Sequence, residues 1–228
     1  MNASQPETSR IVVVIPAHNE APVLQEVLQG VKNVGVYNII VVDDGSDDDT
    51  EVVAQKSGAL VVKHALNRGK GAATRTGIAA ALMTQATIVV TMDGDGQHDP
   101  GDIRRLSEAL KDHDVALGTR TISSRDMPLL RRISNRIGNI TTALVYGLYV
   151  HDSQSGFRAY RREAAQEIRT KADHYEYESE VIREIRKNKL SFVEVPIAVR
   201  YTDYSQTKKS KQRIGNGFRM LFKMIFFD

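Results

Sequence analysis

Five short apolar runs, rich in β-branched residues, punctuate the first half of the chain: Ile11–Ile15, Ile39–Asp43, Leu60–Lys63, Ile88–Met92 and Val115–Gly118. Between them Ala21–Val31, Asp48–Ser57, Gly71–Met83 and Pro100–Lys111 carry apolar residues at helical spacing. Strands that are nearly all apolar and alternate with helices predict an α/β fold, a mostly parallel sheet covered on both faces. Ligands in such sheets bind beyond the carboxyl ends of the strands. The polar clusters Pro16–Glu20, Asp43–Thr50 and Asp93–Asp99 fall there. Past residue 119 the alternation stops. A basic, serine-containing connector leads to a helical segment over Leu129–Val150, then to helices at Arg162–Arg169 and Glu176–Lys187 and a strand at Phe192–Val199.

A chain of 228 residues without internal repeats fits one domain, here placed at 10–205 between a flexible N-terminus, 1–9, and a basic amphipathic segment, 206–228. Hydrophobic residues at 41% and charged residues at 26% exclude a disordered chain. The absence of cysteine excludes disulfides and thiolate metal sites, and suits a reducing compartment such as the cytoplasm. The N-terminus is polar and its first apolar run short, so no signal peptide is expected. Ile137–Val150 is too short and too polar to span a bilayer. Charge is unevenly placed. Arg200–Asp228 holds seven basic residues against Asp203 and Asp228, a tail of +5, so the rest of the +3 chain carries −2. Such a tail points to an anionic partner or, more plainly, to a solvated helix face.

The acidic turn Asp93-Gly94-Asp95-Gly96-Gln97 follows an apolar strand. Residues i and i+2 of an extended segment point the same way, so both carboxylates can meet one cation. Carboxylates and an amide oxygen are hard ligands that suit Mg²⁺ or Mn²⁺, which complete their shells with substrate phosphates and water. A hydrogen-bonded aspartate turn is the plain alternative. An EF-hand fails, because His98 stands where its glycine belongs and Arg104 where its glutamate belongs. In the second acidic cluster, Ser46 or Asp47 is expected to cap the next helix, with Asp47–Asp49 favourable in its first turn. Asp43 and Asp44 close a buried strand and need donors, which ribose hydroxyls and base nitrogens supply. Asn67-Arg68-Gly69-Lys70-Gly71 is neither a Walker loop nor a dinucleotide loop. It still places glycines and a lysine before a helix N-terminus, a good neighbour for a diphosphate.

Together these motifs resemble the family 2 glycosyltransferases, and within them the polyprenyl-phosphate (dolichyl-phosphate) mannose, glucose and N-acetylglucosamine synthases. The resemblance rests on Ile15-Pro16-Ala17-His18-Asn19-Glu20, Asp43-Asp44-Gly45-Ser46, Asn67–Gly71, Asp93–Pro100, Gly118-Thr119-Arg120, Asp152–Arg158 and Val195-Pro196-Ile197. It implies a GT-A type, Rossmann-like fold with C-terminal interface helices. It implies that Pro16, Ala17, His18, Glu20, Val41, Asp43, Lys70, Asp93, Gly94 and Asp95 bind the donor. Asp93, Asp95 and Gln97 would hold Mg²⁺ or Mn²⁺, and Asp95 and Arg120 would be catalytic. Arg120 with Arg131, Arg132 and Lys208 would grip the acceptor phosphate. The arginine and glycine that the family often carries before its Ser-Lys are missing from Tyr201–Lys211, where Lys208 replaces the usual lysine.

The implied reaction is an inverting transfer of a hexose-type sugar from a UDP- or GDP-sugar to a polyprenyl (dolichyl) phosphate, for glycoconjugate or protein glycosylation. A phosphomonoester acceptor needs no base, because its second pKa is about 6 and it is already largely dianionic. It needs arginines, and Arg120, Arg125, Arg131, Arg132 and Arg136 are candidates. A family 2 enzyme with a hydroxyl acceptor is the alternative; it needs a base, for which Asp152, Glu178 and Glu180 are available. A sugar-nucleotide pyrophosphorylase would carry a glycine-rich N-terminal loop, absent from Ile15–Glu20. A nucleic-acid binder would interleave aromatics with its basic residues, so no nucleic-acid partner is expected. Leu144–Val150 and Met220–Phe227 would either lie on a membrane surface or pack into the core. The expected setting is therefore peripheral, at the cytoplasmic face of a membrane, with a possible membrane-anchoring partner subunit.

Overall fold

The computed structural model describes residues 10–120, 139, 143–144, 146–174, 176–200 and 204. The expectations for 1–9, for 206–228, for Arg131, Arg132 and Lys208, and for most of the helix at Leu129–Val150 lie outside the described residues. Asn139, Ala143, Leu144 and Tyr146, from that last segment, are helical.

The first half alternates as its apolar runs require: β1 (Ile11–Ala17), α1 (Ala21–Asn33), β2 (Ile39–Asp43), α2 (Thr50–Lys56), β3 (Leu60–Lys63), α3 (Lys70–Leu82), β4 (Ile88–Thr91), α4 (Asp102–Ala109) and β5 (Val115–Arg120). The second half adds β6 (Arg158–Arg161), α5 (Arg162–Glu167), α6 (Glu176–Lys187) and β7 (Phe192–Ile197). The described strands form one sheet in the order β3-β2-β1-β4-β6-β5-β7. Pairing is parallel except for β6, which runs antiparallel to both β4 and β5.

Successive residues of a strand face opposite sides of the sheet, and the core divides accordingly. Val13, Ile15, Ile39, Val41, Val90, Ala116 and Ala159 pack under α1, α2 and α4 with Leu24, Leu28, Ala54, Ile103 and Leu106. Val12, Val14, Ile40, Val42, Val89, Leu117 and Tyr160 pack under α3, α5 and α6 with Ala73, Ala81, Ala165, Val181 and Ile182. Both faces are closed, which is why the strands read as unbroken apolar runs.

β6 is the element that sequence periodicity does not reveal, because its four residues are Arg-Ala-Tyr-Arg. Arg158 is only 2% exposed. Its Nε donates to the Ser155 carbonyl at 2.8 Å, and one Nη donates to the carbonyls of Ser153 at 2.9 Å and Glu178 at 3.0 Å. At the other end Arg161 Nε donates to the carbonyls of Leu110 and His113, just past α4. Arg162 reaches the carbonyls of Leu82, Thr84 and Ala86 at the end of α3. Both arginines thus satisfy carbonyls that a helix end leaves without partners.

The start of α2 also departs from expectation. Neither Ser46 nor Asp47 caps it. Asp48 accepts from Thr50 N at 3.0 Å and from Ala21 N, at the start of α1, at 3.2 Å. Ser46 Oγ accepts from Asn19 N at 3.0 Å, and Asn19 Oδ1 accepts from Asp47 N at 2.9 Å. The cluster therefore stitches the loops after β1 and β2 together.

Candidate active site

The carboxyl ends of β1, β2, β4 and β5, with the loop entering β6, open into one cavity of about 430 Å³, a size suited to a small organic ligand. Pro16, Ala17, His18 and Glu20 line it from β1, and Lys70 from the start of α3. The β4 loop contributes Asp93, Gly94, Asp95, Gln97 and His98, and β5 contributes Arg120. Val41 and Asp43 do not line it. Val41, expected at the donor site, has its side chain fully enclosed in the core. Asp43 is likewise enclosed, with Oδ1 accepting from Ser46 N at 2.9 Å and Oδ2 lying 3.9 Å from Lys63 Nζ. Asp44 lines the cavity instead. Its carboxylate holds the next loop, accepting from Arg68 N at 3.0 Å, Gly69 N at 2.8 Å and His64 Nδ1 at 2.6 Å.

Lys70 Nζ lies 2.8 Å from Asp93 Oδ1 and 2.9 Å from Glu178 Oε1, on α6. Burial works to lower the Lys70 pKa, but the two carboxylates outweigh it and hold the group above the ordinary lysine range. Asp95 Oδ1 accepts from Gln97 N at 3.0 Å, and the Gln97 side-chain amide donates to Oδ2. Gln97 therefore orients Asp95. His98 receives the Asp93 N–H on Nδ1 at 3.2 Å, which makes Nε2 its protonated nitrogen. Burial pushes its pKa down, further than the nearby Asp93 and Asp95 raise it.

The segment Asp152–Arg158 explains itself residue by residue. Asp152 holds Arg120 in a fork, with Oδ2 to Nε at 2.6 Å and Oδ1 to Nη2 at 2.7 Å. Ser153 N and Oγ donate to Asn139 Oδ1, at 3.1 and 2.8 Å. Gln154 Nε2 donates to Ser179 Oγ at 3.0 Å. Gly156 marks a close approach: a Cβ there would lie 2.8 Å from both Asp93 Oδ1 and Lys70 Nζ. Phe157 stacks on His98, with centroids 4.9 Å apart and planes 27° from parallel. Glu194 on β7 fixes the same loop, accepting from His151 N at 2.8 Å and from Thr119 Oγ1 at 2.9 Å. Gly69, with φ of +101°, has the Asp173 carbonyl and the His174 ring where a Cβ would stand. That glycine answers to packing as much as to a ligand.

Asp93 and Asp95 satisfy the donor chemistry of Mg²⁺ or Mn²⁺. Among the described residues no three histidine, aspartate or glutamate side chains gather as a complete metal site. The protein would thus supply two carboxylates and the Gln97 amide oxygen, and leave the rest of the shell to phosphate oxygens and water, the usual arrangement for such ions. At the mouth, the Tyr204 hydroxyl sits 2.8 Å from the Asn19 carbonyl and 2.9 Å from Glu20 Oε2. Burial and the adjacent Glu20 raise its pKa.

The sequence-expected residues Pro16, Ala17, His18, Glu20, Lys70, Asp93, Gly94, Asp95, Gln97 and Arg120 are brought together. Glu178, weighed only as a possible base, and Gln154, Ser155 and Gly156, quoted only as part of a motif, also line the cavity. So does His174, for which the sequence carries no signal.

Residues 12–169 match a family described as glycosyl transferase family 2. An uncharacterized protein of Methanocaldococcus jannaschii is 43% identical, over 94% of this chain and 90% of its own length. The UDP-N-acetylglucosamine–dolichyl-phosphate N-acetylglucosaminyltransferase of Methanococcus voltae is 33% identical, over 94% of both chains. The polyprenol monophosphomannose synthase of Mycolicibacterium smegmatis is 30% identical, over 91% of this chain and 83% of its own. Among solved structures, the glucosyl-3-phosphoglycerate synthase of Mycobacterium tuberculosis superposes with a TM-score of 0.69 at 23% identity, covering 96% of this chain and 78% of that one. The fold is of the GT-A type.

Proposed function

This chain belongs to glycosyl transferase family 2, and from that premise we propose that it moves a hexose-type sugar from a UDP- or GDP-sugar to a polyprenyl (dolichyl) phosphate, with inversion. The observation that carries the reading is the shared cavity, in which Lys70, Asp93 and Asp95 stand together and Arg120 lines the same space. The names of the Methanococcus and Mycolicibacterium relatives describe transfer to lipid phosphates. The Mycobacterium neighbour has been crystallised with Mn²⁺ and UDP.

Pro16, Ala17, His18 and Glu20 would face the nucleoside. Lys70, at the positive N-terminal end of α3, would bind the diphosphate. A divalent cation on Asp93 and Asp95 would stabilise the charge that builds on the departing diphosphate. Arg120, its guanidinium fixed by Asp152, would neutralise the acceptor phosphate as it approaches another anion. An acceptor oxygen attacks the anomeric carbon, a new C–O bond forms, and the bond to the nucleoside diphosphate breaks. No proton changes place. Arg131, Arg132 and Lys208 would add further grip on the acceptor phosphate.

A hydroxyl acceptor is the second reading, favoured by one observation. Glu178, one of the carboxylates available as a base, lines the cavity. A radiolabel transfer assay across UDP- and GDP-sugars, with polyprenyl phosphate and a neutral oligosaccharide as competing acceptors, separates the two. Label in the lipid phosphate supports the first; label only in the oligosaccharide overturns it.

No helix among the described residues is long and apolar enough to cross a membrane. Attachment at the cytoplasmic face is proposed through the basic 206–228 segment and the exposed Leu144 and Tyr149, 80% and 56% accessible, or through an anchoring subunit. Co-sedimentation with anionic liposomes, with and without residues 213–228, tests it; retention unchanged by the truncation would remove that segment from the account.

A further inference from the structure

We propose that Glu178 is a positioning residue for Lys70, and that Lys70 competes with the divalent cation for Asp93 until a nucleoside diphosphate draws it away. The inference rests on the metal-diphosphate part of the proposed function and assigns that site a built-in coupling.

Lys70 Nζ has two carboxylate partners, Asp93 at 2.8 Å and Glu178 at 2.9 Å. One of them, Asp93, is also a proposed cation ligand. An ammonium and a divalent cation on one carboxylate repel each other, so a cation arriving at Asp93 must loosen the lysine. Backbone at Gly156 bounds the pair on one side, where a Cβ would stand 2.8 Å from both atoms. Among the described residues its remaining carboxylate partner is Glu178, whose side chain is 3% exposed and whose Oε2 makes no hydrogen bond there. Glu178 is itself held in place. It lies in the first turn of α6, and its carbonyl accepts from buried Arg158 at 3.0 Å. A carboxylate so enclosed, with no second polar partner, is spent on the lysine.

Anchored on Glu178, Lys70 can give up Asp93 without leaving the site and present its charge to an incoming diphosphate. Cation and diphosphate then assist each other twice, by direct contact and by the lysine's change of partner. Removing Lys70 takes the competing ammonium off Asp93. Neutralising Glu178 has the opposite effect, since it leaves the lysine with Asp93 as its one charged partner.

The test is titration of Mn²⁺ by calorimetry into wild type, Lys70→Met, Glu178→Gln and the double variant Lys70→Met/Glu178→Gln, each with and without UDP or GDP. The double variant removes both charges together and leaves no unpaired buried carboxylate, so it keeps the test valid if Lys70→Met alone folds poorly. Without nucleotide, Lys70→Met and the double variant should bind Mn²⁺ more tightly than wild type by about tenfold, within the usual range of site-to-site coupling. Glu178→Gln should bind it more weakly, and nucleotide should restore more of its affinity than it adds in wild type. If nucleotide-free Mn²⁺ affinity is unchanged or lower in both lysine variants, the competition is refuted. A purely structural role for Glu178 would lower affinity equally with and without nucleotide, and that result also overturns the proposal. Absence of Mn²⁺ binding by wild type even with UDP or GDP would overturn the metal-diphosphate reading itself.

Discussion

Gly156→Ala adds one methyl group at the point where the Asp152–Arg158 segment crosses the acidic turn. The new Cβ would lie 2.8 Å from Asp93 Oδ1 and 2.8 Å from Lys70 Nζ, with the Asp93 carboxyl carbon next at 3.5 Å. Those first two atoms are tips of side chains, and the Gly156 backbone is not in the left-handed region, so alanine fits without backbone strain. Overpacking a rigid core costs about 1–3 kcal/mol; with flexible neighbours the cost here should stay near 1 kcal/mol or below. In a chain of this size that lowers Tm by about 2–4 °C. Function should respond more strongly. Lys70 and Asp93 must each give by several tenths of an ångström, and a misplacement of about 1 Å can cost about 10²-fold in rate, so kcat/KM should fall by about tenfold or more. The assay pairs initial rates of sugar transfer, at varied donor concentration, with a thermal melt of the same preparation. Unchanged kcat/KM would refute the idea that this crossing sets the geometry of the lysine and the aspartate. A melt lowered by far more than a few degrees would show instead that the segment serves stability first.

Asp95→Asn should abolish transfer while shifting Tm by no more than a few degrees, and EDTA should reproduce the loss reversibly; full activity in EDTA would end the metal assignment. Arg120→Ala should raise the KM for lipid phosphate far more than that for the donor, and equal effects on the two would remove Arg120 from the acceptor side. Asp114 carries a pH-dependent share of stability: hydrogen bonds from Ser191 Oγ and N, at 2.6 and 2.8 Å, hold its pKa below the ordinary value of 3.8. That stabilisation is present above the unfolded value and is lost as pH falls through the lower folded one. The urea midpoints of wild type and Asp114→Asn should therefore differ at pH 7 and converge in acid; a constant gap would contradict it.

The α/β alternation was legible because both faces of the sheet are covered, so Ile11–Ile15 and Ile39–Val42 needed no polar positions. The acidic turn was legible for a related reason: two carboxylates at a strand end are costly unless something uses them. Less visible was whatever depends on contacts between distant segments. β6 lacks an apolar run because buried Arg158 donates to carbonyls of Ser153, Ser155 and Glu178, and no local pattern announces that. Glu178 sits among Glu176, Glu180 and Glu184, and only packing of α6 against the cavity singles it out. Asp43 and Asp44 read alike in sequence; the fold encloses the first and turns the second toward the cavity.

The two arginines at the far end of β6 have a consequence for the opposite end of the molecule. Arg161, the last residue of β6, reaches the end of α4, and Arg162, the first of α5, reaches the end of α3, in one register of β6 against β4. A slip of a single position would turn Arg161 to the other face of the sheet and draw Arg162 off the carbonyls at the end of α3. The pair therefore works as a key that fits one alignment. Because Gly156 precedes β6 by only two residues, that alignment also sets where the backbone crosses Asp93 and Lys70. The accuracy of the sugar-transfer site is measured out, in part, from the side of the sheet farthest from any substrate.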